Sequence, residues 1–546
     1  MLGAATAWLR ENRAVYLDNG TSQRDYRVQL RGNKSIILFA IYLIILIGTA
    51  SLVYSNIQVG SGYYGGTYSP YGTFGARRMS IVEAQQTLKA FYTTIMMLLA
   101  GVVSIIAPAL TATTVVTERQ RRSFDLIFSA PVTPKYFLVG KMMSSFRYTW
   151  MLLILALPVT AVCVVLGGAS WSDVLISYLL LSVQGLIMTS IALLLSTIAT
   201  KAVGAVVWSY AASIAYLYCS SILSFVFAFR GIMGGGGANS EQPFYVALSP
   251  FAVQQAAGTY TTIAGHHVPN WFLAILFAGL VSKLCLLGAA TLLSPRPAKE
   301  IRSLRIHALV VAPLFLFYGM WSAGSSMGSA GMVVPTSAHG YGGRVLFSVM
   351  LGLFIIVPFL SCFGVDGERR YWPNGVFSPK HMLNGTPAGG LPFLLSFILI
   401  NAAAIFGGLW INDRSSFDSS AGMWVVYTLG FWWFFWSIGR LASSAFAGLK
   451  SARTMQFAAF LLIVVLPIPF LSVFFDWISA SSDEASGWDL YILHPLFMGK
   501  TAADSALVWG VILSALALLL TLVAQIQTRR KMQLLEERYV RNNPTA

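Results

Sequence analysis

Charge is what this sequence has least of. Only 10% of its 546 residues are Asp, Glu, Lys or Arg, against 56% hydrophobic, and the mean hydropathy is +0.69. A soluble domain carries roughly 25% charged residues, so the deficit excludes a water-soluble fold of this length. Cysteine is scarce as well. Cys163, Cys219, Cys285 and Cys362 lie far apart inside apolar runs, which excludes a disulfide framework and a cysteine metal site. The phosphate-cradling loop G-x-x-x-x-G-K-[ST] is missing, so the chain does not hydrolyse ATP by that route. His266 and His267 lack a third clustered ligand and read as loop residues. No Ser-His-Asp set and no paired carboxylates fall within the apolar runs. The chain therefore reads as a non-enzyme, with no cofactor or metal of its own.

What is present is apolar length. A spanning helix needs about 20 mostly apolar residues. On that measure the sequence predicts spans near 35–56, 87–116, 137–166, 173–199, 202–229 and 271–294. A second set falls near 306–323, 345–365, 388–411, 422–447, 455–478 and 506–527. The expected fold is an all-α polytopic membrane protein of about twelve transmembrane helices. Residues 1–34 are polar and basic, too long and charged for a signal-peptide n-region, so the first span is expected to be an uncleaved anchor. With both termini in the cytoplasm, the inner segments hold 26 of the 36 Lys and Arg, as the positive-inside rule requires. The net charge of +16 thus follows topology. It implies membrane lipid rather than nucleic acid as the partner of the basic surface.

The two halves echo one another. Residues 105–110, IIAPAL, match residues 355–360, IIVPFL, at an offset of 250, and Glu118 with Arg119 matches Glu368 with Arg369 at the same offset. Leu248-Ser-Pro-Phe matches Leu493-His-Pro-Leu before the last span of each half. Six spans per half give both the same orientation, a parallel 6+6 repeat with pseudo-two-fold symmetry. The expected organisation is a cytoplasmic basic segment 1–34, a first half 35–305, a second and degenerate half 306–528, and a basic cytoplasmic tail 529–546.

Residues 106–141, IAPALTATTVVTERQRRSFDLIFSAPVTPKYFLVGK, carry a family likeness. They resemble the permeases of the type-2 ABC exporter class, whose fold is also called type V. In that class an apolar second helix ends in Glu-Arg, a short amphipathic helix and a Pro turn follow, and Gly-Lys opens the third helix. Here these are Pro108, Glu118 with Arg119, Ser123 to Phe128, Pro131 with Pro134, and Gly140 with Lys141. Residues 24–34, RDYRVQLRGNK, resemble the basic interface segment that precedes the first helix in such permeases. The resemblance implies a coupling helix near 117–136. It also implies a separate ABC ATPase subunit in two copies, with ATP and Mg on that partner, and a bacterial inner membrane as the setting. Phe124, Ile127 and Phe128 share one side at helical spacing and suit docking into a groove. Glu118, Arg119, Arg121, Arg122 and Asp125 surround them. In the second half Glu368, Arg369 and Arg370 hold the matching place, but Pro373 and Gly375 interrupt a helix there and no Gly-Lys follows. The two ATPase contacts are therefore expected to be unequal.

Arg147, Lys283 and Arg440 fall inside spans. A buried charge costs on the order of 2.5–3.5 kcal/mol on insertion scales. Arg147 and Lys283 are the deeper pair and are candidates for an anionic substrate pathway or for lipid-headgroup contact. The run Phe431 to Trp436 reads as a helix-packing or lipid-facing surface, with a substrate wall as the other option. A secondary, ion-coupled transporter with two six-helix repeats is the alternative function, disfavoured because the spans hold almost no Asp or Glu. A lipid-modifying enzyme is disfavoured by the missing catalytic cluster.

Overall fold

The structure is a computed structural model. It describes residues 19–31, 37, 39–52, 81–121, 133–165, 167–233, 247–249, 258–263, 266–294, 298–329, 379–384, 389–412, 419–445 and 503–542. The chain divides into two compact units, Met1–Ala290 and Thr291–Ala546; each is described by itself.

In the first unit a polar helix α1 (Gly20–Leu30) precedes the apolar helix α2 (Phe39–Leu52). There follow α3 (Ile81–Ala112), the short α4 (Thr114–Gln120), α5 (Pro134–Val165), α6 (Trp171–Ile198) and α7 (Ala202–Met233). A hairpin of β1 (Tyr260–Ile263) and β2 (His266–Pro269) leads into α8 (Asn270–Leu293). Among the described residues the hairpin adds two short strands to a helical architecture and gives structure to part of the Gly- and Ser-rich segment 230–270. In the second unit are α9 (Ala298–Ser329), a single turn at Pro379–His381, α10 (Gly390–Asn412), α11 (Ser419–Ala445) and α12 (Ala503–Asn542).

Among the described residues seven helices are long and apolar enough to cross a membrane. This is the architecture of a polytopic α-helical membrane protein. The expected spans at 345–365 and 455–478 lie outside the described residues; the other ten fall on helices.

Helix α6 is the middle of the first unit, with 72% of its apolar window buried. It packs on α3, α5 and α7. Its apolar side chains join Tyr92, Leu99, Val103, Leu152 and Ala156 in one core. In hydrocarbon the hydrophobic effect cannot hold helices together, so packing and interhelical hydrogen bonds do. Tyr92 donates to Ser177 at 3.1 Å and Tyr42 to the Leu152 carbonyl at 3.2 Å, while Thr160 and Tyr178 pair at 3.0 Å. Pro108 lies inside α3, where its ring disturbs the carbonyls one turn back. The Tyr210 hydroxyl on α7 donates to one of these, Ile105 O, at 3.1 Å, as neighbouring helices do for prolines in membranes.

In the second unit α11 and α12 lie in close contact. A Cβ on Gly510 would meet the Tyr427 backbone nitrogen at 2.7 Å, and one on Gly430 would strike the Gly510 carbonyl. Small residues let the two backbones approach. Trp424, Trp432 and Trp436 are buried, and Trp433 donates to Thr521 at 3.2 Å. The aromatic run thus serves helix packing at these positions.

Candidate functional site

Three segments far apart in sequence meet at one end of the first unit: α1, the α3–α4 junction and the start of α5. Helix α5 begins with Pro134, whose fixed φ suits the first helical position. Thr133 accepts from Tyr136 N at 3.3 Å. The first turn of α5 contains no acid, although the positive end of a helix dipole favours one. The first turn already carries Lys135, and Lys141, one turn further on, adds another positive charge with a side chain only 6% exposed. Two other elements supply the missing anions. Lys141 Nζ lies 2.7 Å from Asp25 on α1 and 3.0 Å from Glu118 on α4. Arg24 closes the set, 3.2 Å from Asp25 and 3.7 Å from Glu118, but is 64% exposed. The cluster holds two cations and two carboxylates and is formally neutral.

Arg119 points the other way. Its guanidinium donates to Thr197 O and Ala199 O, both at 2.9 Å. These carbonyls lie at the C-terminal end of α6, where helical partners run out and the dipole is negative. Val115 N donates to Ser196 Oγ at 3.2 Å, so α4 is fixed to α6 at two places. Neighbours in sequence therefore tie α4 to different helices: Glu118 to α5, and Arg119 to α6.

Helix α1 is attached with equal economy. Asn19 caps it by accepting from Thr21 N and Ser22 N, as N-cap residues do. The same side chain donates to Tyr136 O at 2.9 Å, and Gly20 N donates to the Tyr136 hydroxyl at 3.0 Å. The two helices come so close that a Cβ on Gly140 would overlap Thr21 Oγ1 and lie 2.7 Å from Asn19 Oδ1. Gly140 is needed for that approach.

The structure thus brings together Glu118 with Lys141 and with Arg24 and Asp25 of the basic segment, and sets Arg119 against the end of α6. Arg121 is the exposed C-cap of α4. Arg122, Phe124, Asp125, Phe128, Glu368, Arg369 and Arg370 lie outside the described residues. Asp25, Asn19 and Tyr136 were not singled out from the sequence. Asp25 carried a faint signal, being an acid within a basic segment. Arg147 lines a groove with α1, whereas Lys283 is exposed on α8 and is not among the residues of that groove. Of Arg440 the structure describes the backbone only. His266 and His267 are exposed on strand β2 rather than in an irregular loop. Among the described residues no group of His, Cys, Asp and Glu is suited to a metal.

No family model and no curated protein matches the chain.

In the second unit a different cation occupies a polar niche. Arg305 on α9 is 1% exposed. Its guanidinium donates to Met382 O at 3.2 Å and to Asn384 O, and lies 5.3 Å from the centre of the Phe393 ring on α10.

Proposed function

We propose that the chain is the permease of an ATP-binding-cassette exporter, twelve spans in two six-helix halves, driven by two copies of a separate ATPase subunit that carry ATP and Mg. The observation that carries this reading is the ionic cluster of Asp25, Glu118 and Lys141. A permease driven from outside the membrane needs a handle rigidly joined to its spans. Residues 118–121 have that property, since displacing them moves α1 and α5 through Glu118 and α6 through Arg119. In this proposal the contact with the ATPase lies just beyond, over residues 121–128, and the basic segment 1–34 faces the cytoplasm.

The repeat gains support from inside each unit. Gly390, 250 residues after Gly140, starts α10, and Gly140 lies in the second turn of α5. A basic helical stretch packs on the third span of each half, α1 on α5 and the start of α9 on α10.

The decisive experiment is purification of the tagged full chain from its native membrane. The expected result is stoichiometric recovery of a nucleotide-hydrolysing protein, and cross-linking of Arg121→Cys to it. Full transport activity by the chain alone in vesicles, without nucleotide, would overturn the proposal.

A further inference from the structure

Among the described residues, one face of α5 is left uncovered by the other helices. Met143, Phe146, Arg147, Trp150, Met151 and Ile154 follow helical spacing and line a groove of about 430 Å³ with Tyr26 of α1. Tyr26 forms its lip, donating to Met151 Sδ at 3.5 Å. Trp150 is 44% and Ile154 53% exposed, so the groove opens sideways along the helix. Among the described residues lining it, Arg147 is the charged one.

Position decides what such a groove accepts. Arg147 is six residues beyond Lys141, about 9 Å along the axis. Helical side chains lean toward the N-terminus, which carries the guanidinium back toward the ionic cluster at the end of the bundle. Tyr26 and Trp150 have the amphipathic rings that favour the headgroup level. Exposed Arg24, Arg27 and Arg31 on and beside α1 add positive potential at the same end. A guanidinium pairs bidentately with phosphate, and walls that are apolar apart from the Tyr26 hydroxyl and the Trp150 indole nitrogen suit a hydrocarbon chain.

We propose that the groove between α1 and α5 holds one anionic phospholipid, its phosphate on Arg147 and an acyl chain along Phe146, Trp150 and Ile154. A soluble anion has no use for the exposed apolar walls, and a zwitterionic lipid gains less from the basic rim. The site rests on the membrane-spanning architecture and stands apart from the exporter proposal.

The test uses the purified full chain in lipid nanodiscs containing phosphatidylglycerol or phosphatidylcholine with brominated acyl chains. Tryptophan quenching is read, and subtraction of the Trp150→Phe trace isolates Trp150. The expected result is quenching by the brominated phosphatidylglycerol at about fivefold lower mole fraction than by the phosphatidylcholine, the effect of one basic residue near a membrane surface. Arg147→Gln should cut that preference sharply, leaving only what the basic rim contributes, and Arg147→Lys should retain more of it. Equal quenching by both lipids in the unaltered chain overturns the proposal, whether or not the variants fold. So does a preference unchanged by Arg147→Gln, or loss of quenching on adding inorganic phosphate, which marks a soluble-anion site.

Discussion

Lys141 and Arg305 are both buried cations at the start of a helical bundle, and they are neutralised by different means. Lys141 is held by side-chain carboxylates from α1 and α4. Arg305 is held by main-chain carbonyls of residues 382 and 384 and the face of Phe393. The first arrangement joins separate elements through groups that carry full charge. The second uses partial charges fixed in the backbone, so it ties down the turn at residues 379–384. The difference matches the sequence: Gly140 is followed by Lys141, whereas Gly390 is followed by Leu391. A junction of full charges suits a moving connection, because each link can be exchanged without unfolding a turn.

Breaking the charged junction should have the largest effect. Lys141→Met leaves two half-buried carboxylates facing one another, and removing one partner of a buried pair costs about 3–5 kcal/mol. Thermal unfolding in detergent should register that loss. Adding Asp25→Asn and Glu118→Gln should restore most of it, since a neutral replacement of a buried ion network is often tolerated. Absence of rescue would mean that Lys141 acts by shape rather than charge.

Next comes the close approach. Gly140→Val overlaps α1 and should cost about 3 kcal/mol, the upper range for overpacking. Faster tryptic cleavage at Arg24, Arg27 and Arg31 would report the release of α1. Arg305→Gln sharpens the comparison from the other side. It should cost about 2 kcal/mol, the range for hydrogen bonds made by a charged group, and no side-chain substitution can remove the Met382 and Asn384 acceptors, because they are main-chain atoms. The smallest effect belongs to Arg24→Ala. Arg24 is mostly exposed, so its pairing is worth at most about 1 kcal/mol. The difference from the unaltered chain should vanish at high salt.

Much of the fold was legible because the bilayer sets a minimum apolar length. The ten expected spans that fall on described residues coincide with helices; the second, expected near 87–116, is divided, with α3 ending at Ala112 and a separate short helix continuing to Gln120. The hairpin before α8 was not legible, since four-residue strands in a Gly- and Ser-rich segment leave little periodic signal. Within the site, Glu118, Arg119, Gly140 and Lys141 stood out as a motif. Their division of labour did not, because Glu118 and Arg119 are adjacent in sequence and nothing local says that one turns to α5 and the other to α6.

By itself the sequence determined how many apolar segments there are, how long they run and where the basic residues lie between them. Those properties depend on transfer from water to hydrocarbon, which each segment undergoes largely independently. Only the tertiary structure decided which charges meet. Asp25, Glu118 and Lys141 are separated by 93 and 23 positions, and an ionic contact over such gaps is set by how helices pack, here by the glycine at 140 that lets α1 come near enough.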